Sequence, residues 1–485
     1  MCHISSLAFQ PFIEELGEKF WDIVEPAIFP CSQLRFRNNF VLEQLGLNCY
    51  AVTDSEIEAA FGRFEGRAPL LALRYHGYQL GTYNPSLGDG RGFLYGQLAD
   101  TRGNLQDLST KGSGTTPWSR GGDGRLTLKG GVREIIASEA LHRLGVTTSR
   151  TLSLVETGEE LWRGDESSPA RGSVMVRIAR THLRFGTCER LLYQNDSQGL
   201  ERLLLFVIAL YYPEVAAVYP ADCSSKAALE RHLVAFYAEL VNRVAKLAAE
   251  WMVAGFTHGV LNTDNMSLAG EGLDYGPYAF LNRWDPKFTA THFDQTGLYA
   301  YGQQPTICRH NLRLLQEPLT MLLPKELMEE HLEQFTNIYE QHHRICFLRR
   351  LGLTSDFATE GKELIAATLN LLAKWPVDYG RFFSGLAKHV SADGIPDKFE
   401  SLLPFLSKVP EPTRESWLYW RDTWLYQLRQ LSPSDNSRKA VANRLQRWNL
   451  PHVPNRSLIE DLWQAIDEYD DWRPLKNWLT EVMIS

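Results

Sequence analysis

Oxygen-bearing side chains can hold a hard divalent ion, and a carboxylate beside them can serve as a base. One stretch of the 485-residue sequence supplies both: His258-Gly-Val-Leu-Asn-Thr-Asp264-Asn265-Met-Ser-Leu-Ala-Gly-Glu-Gly-Leu-Asp274-Tyr-Gly-Pro277. Leu268 and Leu273 flank Ala-Gly-Glu-Gly, which reads as a hairpin turn, so Asn265 and Asp274 are expected to fall close together across two strands. An amide oxygen and a carboxylate converging in this way suit magnesium carried by a nucleotide. Asp264 then stands beside the metal as a general base for an incoming hydroxyl. The plain alternative is a loop capped by Asx turns.

Other residues upstream could meet the nucleotide. Lys111 precedes Glu134 by 23 residues, and a strand lysine held by a helix glutamate is how protein kinases set a cation against ATP phosphates. Arg177 and Arg184, seven apart, could clamp a phosphate with two guanidinium forks, although ion pairing is the ordinary fate of an arginine. Gly88-Asp-Gly-Arg91-Gly92 would let backbone N–H groups approach a phosphate, or would simply be a glycine-rich turn. Ser119-Arg-Gly-Gly-Asp123-Gly124-Arg125 is too rich in glycine and charge to be core and reads as a surface loop that could touch a ligand.

These residues need a scaffold. Residues 72–130 are dense in glycine, with short apolar runs such as Leu70 to Leu73 and Gly92 to Leu98, the texture of a twisted sheet with tight turns. Gly131 to Leu144 is predicted helical, because Val132, Ile135, Ile136, Ala140 and Leu144 recur at spacings of three and four and Gly145 supplies a stop. A strand is predicted at Ser173 to Ala179. From about Leu200 long helices dominate, with Leu229, Leu233, Phe236, Leu240, Val244, Leu247 and Trp251 forming one apolar stripe. A polar stretch at Thr257 to Phe293 interrupts them, and helices resume beyond Gln304, with breaks near Lys408–Pro412 and Leu431–Asn436.

Composition narrows the function. A 44% apolar content supports a large core in more than one lobe. A formal charge of −8 provides no global field for nucleic acid or an anionic membrane. The longest apolar run, around Leu203 to Tyr212, is far short of the ~18 residues of a membrane span. Glu14, Glu15 and Glu18 precede or adjoin the first basic residue, Lys19, which argues against a targeting leader, so a cytoplasmic protein is expected. Seven scattered cysteines signal neither a zinc site nor a disulfide framework.

Taken together, the blocks Leu87 to Gly92, Lys111 to Arg120, Gly122 to Arg125, Arg133-Glu134, Ser138 to Ala140, His182 to Gly186, His258 to Ser267, Asp274 to Pro277 and Tyr299 to Gly302 resemble the selenoprotein O (SelO/YdiU) family of kinase-like protein adenylyltransferases. The resemblance runs in family order over about residues 70–305. It implies an α+β, protein-kinase-like two-lobe fold, with a small β-rich N-lobe and a larger helical C-lobe. The expected division is an N-terminal extension at 1–70 packed on the core, an N-lobe at 71–195, a C-lobe at 196–400 and a helical C-terminal extension at 401–485. It further implies that Gly88, Gly90, Arg91, Lys111, Asp123, Gly124, Arg177 and Arg184 contact the nucleotide and that Glu134 holds Lys111. Asp264 matches the catalytic base, and Asn265 and Asp274 match the metal ligands, Asp274 also facing the nucleotide. ATP would be the substrate, with Mg2+ or Mn2+, lying reversed relative to kinases so that its α-phosphate meets the acceptor. AMP would pass to Ser, Thr or Tyr of protein acceptors, this chain itself included, with release of pyrophosphate. A protein kinase, a UMP transferase and a silent nucleotide-binding scaffold are the competing readings of the same residues. The family's tail often carries a cysteine or selenocysteine; here the last cysteine is Cys346, so a tail disulfide is not expected.

Overall fold

The computed structural model describes residues 3–164, 166–218, 225–354, 361–390, 411–431 and 438–483. Its strands run β1 (Trp21–Val24), β2 (Gln33–Arg37), β3 (Leu70–Leu73), β4 (Gly77–Gln79), β5 (Thr82–Asn84), β6 (Leu94–Ala99), β7 (Leu105–Lys111), β8 (Leu126–Thr127), β9 (Arg150–Leu161) and β10 (Ala170–Ala179). Among the described residues, eight of these form one sheet in the order β1-β3-β6-β7-β10-β9-β2, with β8 added on β10, and all neighbours in it pair antiparallel. The first 70 residues therefore supply both edge strands, through Trp21–Val24 on β3 and Gln33–Arg37 on β9. β4 and β5 form a separate hairpin.

Two-residue periodicity sorts the faces of the sheet. Val174, Val176 and Ile178 pack with Phe93, Tyr95 and Leu108 in one core cluster, while Met175 packs on the opposite face with Val132, Ile135 and Ile136. In the β7–β10 register Lys111 lies opposite Met175, and Ser109 opposite Arg177. Lys111 and Arg177 thus emerge on the same face, the one covered by the helix Leu128–Arg143. That helix starts three residues before the expected Gly131, because the Thr127 hydroxyl caps it by accepting from Gly130 N and because Leu128 is buried in the core.

The rest of the chain is mostly helical. Lys226–Ala254 carries the long apolar stripe and packs beside Gln304–Leu319 and Phe335–Arg350. Between the first two, only the short pair β11 (Phe256–Thr257) and β12 (Ala279–Phe280) and two 3₁₀ turns, Thr263–Asn265 and Tyr301–Gln303, are regular among the described residues. The last two helices, Arg456–Tyr469 and Arg473–Val482, return to pack on Leu128–Arg143. Lys129 pairs with Glu460 at 2.7 Å, and Arg143 donates to the carbonyls of Gln446 and Arg447. The expected boundary at 400/401 lies outside the described residues. No described helix is long and apolar enough to cross a membrane.

Candidate active site

A cavity of about 610 Å³, the size of a small-molecule site, opens beside the covered face of the sheet. The loop before β6 lines it with Gly88, Gly90 and Arg91, the end of β7 with Lys111, the following loop with Asp123 and Gly124, and β10 with Arg177. Arg184, Asp264, Asn265 and Asp274 complete it. Glu134 does not line the cavity but reaches it through Lys111. Seven basic and four acidic side chains meet there, a local excess of positive charge in a chain whose net charge is −8.

Of the expected hairpin between Leu268 and Leu273 the turn forms, Gly270 N donating to Ser267 O at 3.0 Å, but no paired strands flank it. Met266 and Gly272 make one antiparallel bridge, while Ser267 bridges to Arg184. Phe185 N donates to Met266 O and Leu268 N to Leu183 O, both at 2.9 Å, so the segment divides its backbone groups between residues 183–185 and its own return arm. Asn265 and Asp274 still face one cavity, but the packing of a distant segment brings them there.

Asp274 is the electrostatic centre. Its backbone is left-handed, with φ +60°, and its carboxylate accepts from Lys111 Nζ and lies 3.5 Å from Arg177 Nη1 and 3.7 Å from Arg184 Nη1. Burial alone would raise its pKa, but Lys111, Arg177 and Arg184 outweigh burial and hold it well below the usual carboxylate range. Glu134 accepts from Lys111 with one oxygen and from Tyr275 N, at 3.3 Å, with the other. It therefore anchors both the lysine and the backbone that follows Asp274.

Arg184 sits at the start of the helix Phe185–Tyr193, donates to the Asp264 carbonyl at 2.6 Å, and lies 4.7 Å over the Tyr75 ring. Arg177 Nε and Nη1, Arg184 Nε and Asp264 Oδ1 are buried without a hydrogen-bond partner. Unsatisfied groups of this kind are rare in folded proteins and point to a polar guest. Burial pushes the Asp264 carboxyl up to about 6; Arg184 opposes the rise and Asp274 adds to it.

The donor set suits a hard divalent ion. Asn265 commits its Nδ2 to Val260 O at 3.0 Å, which leaves its amide oxygen to coordinate, and Asp264 and Asp274 add carboxylate oxygens with no histidine or thiol among them. Among the described residues no group of three or more His, Cys, Asp or Glu forms a self-sufficient metal cage. An ion here would complete its shell with phosphate oxygens and water, as magnesium usually does.

The glycines of the 88–92 loop have a packing reason of their own. A Cβ on Gly88 would fall 2.4 Å from Trp118 Cγ, and Gly124, with φ +69°, would meet Gly114 at 2.2 Å. Thr116 and Ser119 hydroxyls donate at 2.6 Å to the carbonyls of Asp89 and Gly90, which locks this loop against the next. Asp123 is held by Arg163 Nη1 at 2.7 Å and Nη2 at 3.2 Å. Tyr75, Asp89, Trp118 and Arg163 also line the cavity, and none of them is expected there from the sequence. Asp89 sits between two glycines of the 88–92 motif, which is a signal for it, whereas Tyr75 and Arg163 carry no spacing signal, because each enters alone from a separate loop.

A profile of the family described as "Protein adenylyltransferase SelO" matches residues 3–483. The chain is 50% identical over 471 residues to a protein nucleotidyltransferase YdiU of Gloeobacter violaceus, covering 96% of this chain and 93% of that one. It is 49% identical over 474 residues to a protein of the same description from Synechococcus elongatus, covering 97% and 94%. A more distant relative so described, from Azotobacter vinelandii, is 37% identical over 398 residues, covering 81% and 78%.

Proposed function

The chain belongs to the SelO family and is a nucleotidyltransferase, and on that premise we propose that it transfers AMP from ATP to Ser, Thr or Tyr hydroxyls of proteins, releasing pyrophosphate. The scaffold is read as a kinase-like pair of lobes, the antiparallel sheet with its Glu134 helix facing the helical remainder. The observation that carries the chemistry is the burial of Lys111, Arg177 and Arg184 around Asp274, with guanidinium N–H groups left unpartnered. Such a cluster suits the terminal phosphates of a nucleotide triphosphate far better than an adenine ring.

In this reading Lys111, braced by Glu134, and the two arginines grip the β- and γ-phosphates. Asp264 accepts the proton of the acceptor hydroxyl, whose oxygen forms a bond to the α-phosphorus as the bond from that phosphorus to the bridging oxygen of pyrophosphate breaks. The same three cations stabilise the charge that accumulates on the departing pyrophosphate. A divalent ion, Mg2+ or Mn2+, held by Asn265 and Asp274 would supply further neutralisation of the phosphate oxygens.

ATP labelled on either the α- or the γ-phosphate tests the proposal. Only α-label should become attached to acceptor protein or to the chain itself, with pyrophosphate released; attachment of γ-label would mean kinase chemistry. Arg177→Ala and Arg184→Ala should each weaken binding of ATP more than that of AMP, which lacks the terminal phosphates. Equal losses for both nucleotides would remove the assigned orientation.

The pH profile offers a separate check. A base must be ionised, and burial has raised the Asp264 carboxyl to about 6, so kcat/KM for ATP should fall as the pH drops through about 6 and level off above it. A limb nearer pH 4, the value of an ordinary aspartate, would show that no carboxyl raised by burial serves as the base.

A further inference from the structure

Glu189 is a buried carboxyl that the proposed chemistry does not use. It projects from the helix Phe185–Tyr193, and its Oε2 accepts from the Thr263 hydroxyl at 2.9 Å. The same hydroxyl oxygen accepts from Tyr78 N at 2.8 Å. Thr263 opens the 3₁₀ turn whose next residue is Asp264, and Tyr78 belongs to β4 of the hairpin that lies over that turn. The other arm of the hairpin is tied to the same glutamate, since Tyr83 OH donates to the Glu189 backbone carbonyl at 3.2 Å. Leu80 N, at the hairpin tip, donates to Asn262 Oδ1 at 3.3 Å. A Cβ added to Gly77 would stand 3.0 Å from Asp264 Cβ, so hairpin and base are in direct contact.

Resting on the reading of Asp264 as the base, we propose that Glu189 is a positioning residue: through Thr263 it fixes the turn that presents Asp264 and the β4–β5 hairpin that encloses it. Helix, turn and hairpin come from three distant parts of the sequence, and the Glu189 carboxyl with the Thr263 hydroxyl is where they meet. A side chain buried solely for packing would be apolar, whereas this one spends a buried carboxyl on the Thr263 hydroxyl. Burial pushes its carboxyl up to about 8, against the Thr263 hydrogen bond and with Asp264 adding to the rise. At neutral pH it is therefore mostly an uncharged acceptor, which a glutamine can replace.

The test compares Glu189→Gln, Glu189→Leu, Thr263→Val and the Leu/Val double variant by steady-state transfer from α-labelled ATP, ATP binding and thermal unfolding. Glu189→Gln should keep kcat within a few-fold of the parent protein. Glu189→Leu and Thr263→Val should each lower kcat by about 10- to 100-fold with ATP binding unchanged, the scale expected when a reacting group is held loosely. The double variant should be no worse than Thr263→Val alone, because that change already breaks the link to Glu189 along with the Tyr78 bond. If Glu189→Leu does not fold, Thr263→Val and Glu189→Gln decide the matter. Full kcat in Thr263→Val, equal damage from Gln and Leu, or additive losses in the double variant would overturn the proposal while leaving AMP transfer standing. A parent protein that attaches neither α- nor γ-label would overturn this proposal together with the functional reading; γ-label alone would overturn AMP transfer only, and the same comparison would then be made with that label.

Discussion

Asp274→Ala should reduce nucleotidyl transfer by about 10³-fold or more while leaving metal-free ATP binding intact or tighter. The carboxylate has two roles. It is the charged member of the Asn265–Asp274 oxygen pair, and it is the shared counter-charge of Lys111, Arg177 and Arg184. Its removal takes away the anionic ligand for a divalent ion, which the Asn265 amide alone cannot replace. The same change leaves three buried cations facing the phosphates with less competition. Transfer from α-labelled ATP and calorimetric ATP binding, each with and without magnesium, separate the two roles. Retained activity would refute the metal assignment, and parallel loss of metal-free binding would make Asp274 a scaffold for the cationic cluster.

Asp264→Ala should slow transfer by the ~10²–10⁴-fold typical of a lost general base and leave nucleotide affinity nearly unchanged. Its carboxylate makes no hydrogen bond through Oδ1, and Arg184 grips its backbone carbonyl rather than its side chain. Truncation therefore removes a proton acceptor without cutting the link to Arg184. Single-turnover transfer measured beside ATP binding gives both quantities. Equal losses in the two would mean that Asp264 holds the nucleotide or the metal instead of the proton.

The two variants probe one cavity whose parts differ in how far local sequence pattern reveals them. The helix that carries Glu134 is legible in the recurrence of Val132, Ile135, Ile136 and Ala140, because an apolar stripe at helical period is what a helix packed by one face requires. The strand carrying Arg177 is equally plain, and its pairing with β7 sets Lys111 and Arg177 on one face. The hairpin expected around Ala269–Gly272 is cut down to a turn and one bridge, because turn residues favour longer strands only while the return arm is the best partner at hand. Leu183 and Phe185, more than 80 residues upstream, take backbone bonds of Met266 and Leu268 that longer paired strands would have used. Edge strands from the first 70 residues and the C-terminal helices braced on Leu128–Arg143 are likewise invisible to local pattern.

The sequence by itself determined which chemistry-bearing residues exist, the elements that carry most of them, and, through the joint pattern of its motifs, the family to which the chain belongs. Tertiary structure alone decided that Lys111 is shared between Glu134 and Asp274, that Arg184 spans Tyr75 and the Asp264 carbonyl, and that Glu189 meets Thr263. It also decided the ionisation of the site, lifting Asp264 and Glu189 and depressing Asp274. Periodicity and spacing act along the chain over a few residues, whereas burial and the approach of charges depend on segments separated by tens to hundreds of residues. The energy of a charge is set by those through-space neighbours and by the water they exclude.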